Sequence, residues 1–151
     1  MGLHLLAQGK HGSRRAILNR FKEVQNGILL GTDSFWEGID IPGNQLSCLV
    51  IQKLPFSVPS EPVFAARMKK LSDEGSNAFM EYALPKAMMK FRQGLGRLIR
   101  TKTDKGVVVL LDSRMWDKNY GSLFREMIPP SIQIKGNKKS ILEQVAAFLP
   151  L

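Results

Sequence analysis

Residues 107–112 read Val-Val-Val-Leu-Leu-Asp, and this run decides the fold class of the 151-residue chain. Continuous β-branched and aliphatic side chains are typical of a strand that is covered on both faces, as in parallel sheets. Two similar runs, 27–32 (Gly-Ile-Leu-Leu-Gly-Thr) and 46–54, predict further buried strands, and residues 3–7 predict a short one. Residues 132–134 predict an edge strand.

Segments with helical periodicity alternate with these strands. Ser13 is the expected N-cap of a helix that runs to about residue 22, with Ile17, Leu18 and Phe21 on its inner face. The alternation predicts an α/β domain with a mostly parallel sheet and helices on both faces. The other predicted elements are helices at 61–71 with Ser60 as cap, from Leu84 onward with Pro85 in the first turn, at 119–127 and at 137–148, and a turn at 75–77.

The chain enters almost directly into its first predicted strand. A doubly wound domain normally begins with a strand that lies centrally in the sheet. We therefore expect that at least one N-terminal βα unit is missing from the 151 residues. The whole length, residues 1–151, is predicted to be a single domain, because its size suits one buried core.

The charge of the chain is unusual. Twenty-two Lys and Arg residues against 13 Asp and Glu residues give a net charge of +9, which favours a polyanionic partner such as nucleic acid. A solvated basic surface without a partner is the alternative. The single cysteine, Cys48, excludes a disulfide framework and is expected to be a small buried apolar residue. No run is apolar enough to span a membrane and no signal peptide opens the chain, so a cytoplasmic location is expected.

One segment carries the chemistry: residues 93–100 read Gln-Gly-Leu-Gly-Arg-Leu-Ile-Arg. On a helix, Gln93, Arg97 and Arg100 would lie on one stripe, and Lys86 and Lys90 extend it toward the N-terminus. Two arginines one turn apart match the oxygens of a phosphate. A solvated arginine-rich face is the alternative, but two glycines in a helix cost about 1 kcal/mol each relative to alanine and argue against it. Predicted to pack on the sheet are Leu84, Met88, Phe91, Leu95 and Leu98, while Gly96 lies beside the stripe and permits close approach of a phosphate.

Residues 31–43 follow directly after a predicted strand and read Gly-Thr-Asp-Ser-Phe-Trp-Glu-Gly-Ile-Asp-Ile-Pro-Gly. The carboxyl end of a strand in an open α/β sheet is a common place for a ligand. Backbone N–H groups in such a turn can hold a phosphate. Phe35 and Trp36 are expected to be core side chains, at least one of them, with stacking on a base as the alternative.

Residues 93–100 closely resemble helicase motif VI, Gln-x-x-Gly-Arg-x-x-Arg, and the likeness continues through 101–106 into Asp112-Ser113-Arg114. Residues 31–43 resemble motif V. Together these matches resemble the second motor domain of DinG-type DNA helicases, in the DinG and XPD branch of superfamily 2, and they cover nearly the whole chain. The resemblance implies a RecA-like fold. It implies an arginine finger at Arg100 with Arg97 and Gln93 nearby, a nucleotide side at Glu37, Gly38, Asp40 and Gly96, and DNA contacts at Thr32, Asp33 and Ser34.

The same resemblance implies ATP and Mg²⁺ as cofactors, held mainly by a first motor domain. No Gly-x-x-x-x-Gly-Lys-Ser/Thr occurs in the chain; residues 136–140 have the wrong glycine spacing, and Asp73-Glu74 ends an amphipathic helix rather than a buried strand. The isolated chain is therefore predicted to lack ATPase activity. Where the family carries an iron–sulfur cluster, the first domain holds it, and the residues here do not bear on it.

The implied partners are single-stranded or forked DNA and the first motor domain, with no membrane. The implied function is ATP-driven translocation on DNA and unwinding, in the 5′ to 3′ direction of the family. Two alternatives stay open: a non-enzymatic nucleic-acid-binding module, and an accessory domain of a helicase-like 3′-5′ exonuclease. His4 and His11 are expected to be satisfied or exposed, and the Arg67, Lys69, Lys70 cluster is expected to be a solvated helix face, with DNA contact as the alternative.

Overall fold

The computed structural model describes residues 2–32, 35, 41, 45–101 and 103–149. In these ranges helices alternate with short parallel strands, which is consistent with the predicted RecA-like α/β class. In chain order the elements are β1 (His4–Ala7), α1 (Arg14–Glu23), β2 (Gly27–Leu30), β3 (Cys48–Ile51), α2 (Pro62–Asp73), a π-helical segment (Phe79–Ala83), α3 (Leu84–Leu98), β4 (Val107–Leu110), α4 (Arg114–Asp117), α5 (Gly121–Glu126) and α6 (Lys138–Phe148).

The first strand pair consists of β1 and β2, which run parallel with Leu6 opposite Leu29. Helix α1 covers this pair because Ile17 and Phe21, one turn apart, turn inward and are buried. Ser13 caps the helix as predicted: its Oγ accepts a hydrogen bond from the backbone N–H of Ala16, 3.3 Å away. The core cluster of this half consists of Leu6, Ile17, Phe21, Phe35 and Ile41.

The predictions that the strands at residues 27–32, 46–54 and 107–112 are fully buried are wrong. In β3, Val50 is 57% exposed, and β4 is half-buried along its length. Side chains alternate along β2, and Ile28 and Leu30 are exposed. Helix α1 packs on one face of the pair, and successive side chains of a strand point to opposite faces. An unbroken aliphatic run therefore did not distinguish a strand covered on one face from a strand covered on two.

The second strand pair consists of β3 and β4, which run parallel with Ile51 opposite Leu110. Helix α3 packs on β3, and α5 packs on α3. A compact set of aromatic rings fills the space between them, with the centroids of Phe91 and Phe124 5.3 Å apart in an edge-to-face arrangement. The buried core of this half consists of Ile51, Leu54, Leu84, Ala87, Phe91, Leu95, Met115 and Phe124.

The strand pairing differs from the single sheet that the sequence predicts. Both pairs are parallel, as expected, but the described residues form two separate two-stranded sheets, β1–β2 and β3–β4. Each pair has its own core cluster. Cys48, at the start of β3, is half-buried rather than fully buried, and this burial raises the pKa of its thiol.

Several helix boundaries also differ from the prediction. Helix α2 begins with Pro62 and its N-cap is Glu61, not Ser60, because proline fits the first turn of a helix, where its missing N–H leaves no bond unmade. The π-helical segment before α3 and the short α4 were not predicted. The turn at 75–77 is confirmed by Gly75, whose φ of 80° lies in the left-handed region.

The C-terminal region holds one error and one confirmation. Residues 132–134 form no strand, and Ile132 is 90% exposed. Helix α6 begins as predicted, since the Oδ1 of Asn137 accepts a hydrogen bond from the backbone N–H of Ser140 at 3.0 Å. It contributes no buried side chain to the domain.

Candidate nucleotide and DNA interface

Helix α3 positions the motif that the sequence singled out. Its buried face places Leu84, Phe91, Leu95 and Leu98 in or against the core, as predicted from their spacing, and adds Ala87. Met88 packs against the same core while half-buried. The opposite face carries the basic stripe, so burial of the apolar side fixes the direction in which that stripe points. The stripe on the helix consists of Lys86, Lys90, Gln93 and Arg97.

Helix α3 ends earlier than the sequence predicts, at Leu98. Ile99 takes an extended conformation, with φ −113° and ψ 105°, so Arg100 lies beyond the helix rather than one turn further along its stripe. The prediction of a single helical stripe through Arg100 is therefore wrong. Both arginines still lie at the same end of α3, with Arg97 half-buried in the last turn and Arg100 exposed.

The backbone at Arg100 is held by Asp104. The carboxylate accepts hydrogen bonds from the backbone N–H of Arg100 at 2.7 Å and of Thr101 at 2.8 Å, and from the Thr101 hydroxyl at 2.9 Å. These bonds, that from the Thr101 N–H first, lower the pKa of Asp104, so the carboxylate is charged at neutral pH. A side chain four residues after Arg100 thus fixes the turn that carries this second arginine.

Gly96 lies on the exposed side of α3, and no atom beyond the adjacent helix backbone lies within 4 Å of where its Cβ would stand. The space at Gly96, beside Arg97, is therefore open. Gly106, in the same motif region, has a different reason: a Cβ there would lie 2.6 Å from the Leu98 Cδ1, so a glycine is needed for β4 to approach α3.

The motif V segment begins at the end of β2. Thr32 donates hydrogen bonds from its backbone N–H and its Oγ1 to the Oε1 of Gln8, at 2.9 and 3.1 Å. Gln8 follows β1, so the two loops at this end of the strand pair are joined. Of the predicted residues in this segment, Asp33, Ser34, Trp36, Glu37, Gly38 and Asp40 lie outside the described residues.

Phe35 is a core side chain, 3% exposed, as expected for one of the two aromatic residues in this segment. Its ring lies against Gly31, where a Cβ would meet it at 2.7 Å. The Arg14 guanidinium lies over the same ring, 5.6 Å from its centroid. The packing of the Phe35 ring therefore requires glycine at position 31. Because the ring is buried, Phe35 is not available to stack on a base.

Two features were missed by sequence reasoning. Directly after β4, Asp112 and Arg114 form an ion pair, with Arg114 Nη2 2.6 Å from the Asp112 Oδ2; the signal was an Asp-x-Arg run at the end of a strand. On α3, the Nζ of Lys86 lies over the rings of Phe64 and Tyr82, 5.3 and 5.7 Å from their centroids. Arg67, predicted to be simply solvated, is exposed but also lies over the Tyr82 ring.

His4 and His11 behave as predicted. The Nδ1 of His11 accepts a hydrogen bond from the backbone N–H of Ala7 at 2.8 Å, and His4 is exposed. Asp73 pairs with Lys69 at the surface of α2. Within the described ranges, no three His, Cys, Asp or Glu side chains are grouped to hold a metal ion, and no helix is long and apolar enough to cross a membrane.

Comparison with known proteins shows the family of the chain. The family described as the helicase C-terminal domain matches residues 1–131. The chain belongs to this family. It is a C-terminal helicase domain of the DinG type, because relatives about 40% identical over most of its length are named DinG or YoaA. The matched range includes both motif segments, residues 31–43 and 93–100.

Three relatives illustrate the likeness. This helicase domain is 43% identical over 85% of its length to the 3′-5′ exonuclease DinG of Bacillus subtilis, of which it covers 14%. It is 39% identical over 92% of its length to the ATP-dependent DNA helicase YoaA of Haemophilus influenzae, of which it covers 22%. It is 40% identical over 83% of its length to the ATP-dependent helicase DinG of Mycobacterium tuberculosis, of which it covers 19%. The domain therefore spans less than a quarter of these relatives.

Proposed function

We propose that this helicase domain is the second motor domain of an ATP-dependent DNA helicase and supplies the arginine finger for ATP hydrolysis. The observation that carries the proposal is the end of α3, where Arg97 and Arg100 sit on a backbone that the core packing of the helix and the Asp104 carboxylate hold in place. A preorganised guanidinium stabilises the charge that develops on a transferred phosphoryl group.

In this proposal the nucleotide lies on the first motor domain, and the cleft between the two domains closes over it. Arg100 contacts the γ-phosphate, Arg97 and Gln93 contact neighbouring oxygens, and the open side at Gly96 lets the phosphates approach α3. Glu37, Gly38 and Asp40 are assigned to the same nucleotide side. ATP and Mg²⁺ are held mainly by the first domain, so hydrolysis would release these contacts and open the cleft.

DNA contacts are assigned to the carboxyl end of β2. The Gln8–Thr32 hydrogen bonds hold the start of that loop, and Thr32, Asp33 and Ser34 are placed against the backbone of a single strand. The net charge of +9 supports a polyanionic track. Alternate gripping of the strand by the two motor domains would couple hydrolysis to translocation and unwinding.

The proposal is tested by Arg100→Ala in a full-length helicase that contains this domain. The turnover number for DNA-stimulated ATP hydrolysis is expected to fall about 10³-fold or more, the scale of losing an arginine finger, while single-stranded DNA binding stays within twofold. The matched control is Arg92→Ala, because Arg92 is an exposed arginine of α3 outside the stripe. Equal turnover in the Arg100 and Arg92 variants would sink the finger assignment.

The name of the Bacillus subtilis relative, 3′-5′ exonuclease DinG, suggests a second candidate function. In such a parent protein the domain would act as an accessory that holds DNA for a nuclease. Arg100→Ala distinguishes the two candidates in the presence of ATP: the motor role predicts loss of DNA-stimulated ATP hydrolysis, whereas a purely accessory role predicts unchanged exonuclease activity and DNA affinity with or without ATP.

A further inference from the structure

A polar cleft lies at the carboxyl ends of β3 and β4. Its lining does not include Arg97 or Arg100. The two strands are parallel and end opposite each other, at Ile51 and Leu110. The chain then leaves both strands at the same edge, and a shallow, solvent-open depression of about 460 Å³ lies between the two departing segments. Open α/β sheets bind ligands at such an edge. The lining consists of Gln52, Lys53, Leu111, Asp112, Ser113 and Arg114.

Asp112 joins the two walls of this cleft. One carboxylate oxygen accepts a hydrogen bond from the backbone N–H of Leu54, on the opposite wall, at 2.8 Å. The carboxylate also accepts from the backbone N–H of Arg114 at 3.1 Å and from its Nε at 2.9 and 3.0 Å. The Asp112 side chain is 8% exposed. Its role is to position Arg114, since it has little surface to offer a ligand.

Arg114 is fixed but still accessible. Its guanidinium lies over the Phe56 ring, 5.3 Å from the centroid, while its Nε and Nη2 face Asp112. The side chain keeps 37% of its surface exposed. An arginine that is stacked on a ring and chelated along one edge presents its remaining N–H groups in a fixed direction, which suits a phosphate oxygen.

The charge of the cleft selects the ligand class. Two cations, Lys53 and Arg114, against one carboxylate, Asp112, leave one positive charge, and the exposed Gln52 and Ser113 add uncharged donors. We infer that this cleft is a phosphate subsite for the backbone of single-stranded DNA, with Lys53 and Arg114 as its donors. The inference rests on the proposed function, because a domain that tracks DNA requires backbone contacts beyond Thr32.

The test is the affinity of the chain for a fluorescein-labelled oligothymidylate, measured by anisotropy over a range of salt. Lys53→Ala is expected to weaken binding about twofold to fivefold, the range of one exposed ion pair, and to reduce the slope of log affinity against log salt by about 0.7, one phosphate on a single strand. Lys139→Ala is the matched control, because it removes the same charge from an exposed site on α6.

Arg114→Lys separates placement from charge. The variant keeps the cation but loses the fixed guanidinium, so a weaker affinity at unchanged net charge supports the subsite. A melting temperature for each variant verifies folding, and the exposed Lys53 keeps the test valid if Arg114→Lys is unstable. Equal oligonucleotide affinities for Lys53→Ala and Lys139→Ala would overturn the inference.

The phosphate source is decided by parallel titrations with ATP and with inorganic phosphate. A loss of ATP or phosphate affinity in Lys53→Ala, with oligonucleotide affinity unchanged, would overturn the assignment to DNA. Thr32→Val separates this subsite from the proposed function. If Thr32→Val weakens binding and Lys53→Ala does not, only the subsite fails; if the unaltered chain does not bind the oligonucleotide, the DNA role of the domain fails with it.

Discussion

At the scale of single residues, two carboxylates each hold one arginine of this domain in place. Asp104 holds the backbone of Arg100, and Asp112 holds the side chain of Arg114. Neither carboxylate is a candidate ligand, and each acts through the arginine beside it. A short acidic residue within four positions of an arginine is therefore as informative as the arginine itself, because it fixes the direction of the cation.

The pH dependence of stability tests the Asp112 bonds. Hydrogen bonds from the Arg114 side chain, and then from the Leu54 N–H, lower the pKa of Asp112 from 3.8 to about 2. A carboxyl group with a depressed pKa stabilises the fold above its unfolded-state pKa, and this contribution disappears as pH falls from about 4 through about 2. Asp112→Asn removes the charged partner and is expected to cost about 1.5–3 kcal/mol at pH 7.

The measurement is the free energy of urea unfolding for the unaltered chain and for Asp112→Asn, from pH 7 to pH 2. The gap between the two proteins is expected to be constant down to about pH 4 and to shrink below it. A gap that stays constant to pH 2 would contradict the role of the ionised carboxylate.

At the scale of elements, helices with similar caps contribute differently to the domain. Ser13 caps α1 and Asn137 caps α6, each by accepting a hydrogen bond from a backbone N–H three residues on. Helix α1 buries Ile17 and Phe21, whereas α6 buries no side chain. Helical stability in proteins comes mostly from packing of an apolar face, so only α1 is tied to the global fold.

Replacing each cap by alanine tests this difference. Ser13→Ala is expected to lower the free energy of global unfolding by about 1 kcal/mol. Asn137→Ala is expected to speed amide exchange in residues 138–148 while the unfolding midpoint stays unchanged. Urea unfolding followed by circular dichroism, together with hydrogen exchange, gives both quantities. An equal loss of global stability in the two variants would show that α6 packs on the domain.

At the scale of the whole molecule, the proposed function makes this domain one side of a motor. Its basic stripe, Thr32 at the end of β2 and its cleft beyond β3 and β4 are all at least partly exposed to solvent. The described residues offer no acidic group of three that would hold a metal ion, and the sequence has no P-loop. In the proposed function, a first motor domain supplies the P-loop and holds ATP and Mg²⁺.

The isolated 151-residue chain is accordingly predicted to show no DNA-stimulated ATPase activity. Addition of a separately prepared first motor domain is expected to restore hydrolysis, and Arg100→Ala in the added chain is expected to remove it again. Phosphate release in the presence of single-stranded DNA measures all three states. Robust hydrolysis by the chain alone would refute the division of labour between the two domains.

The sequence by itself determined the element types and the family. Continuous apolar runs located β1 to β4, and helical periodicity located α1, α3 and α6, because burial of apolar side chains leaves a pattern in the sequence. The resemblance of residues 93–100 to motif VI indicates Arg97 and Arg100 from the sequence alone. Only the tertiary structure decided that the strands form two pairs, that β2 is covered on one face and that α3 ends before Arg100. The pairing of the strands depends on contacts between residues far apart in the chain, and the Asp112 bond to Leu54 is one of them. No local pattern records which distant partner a group will meet.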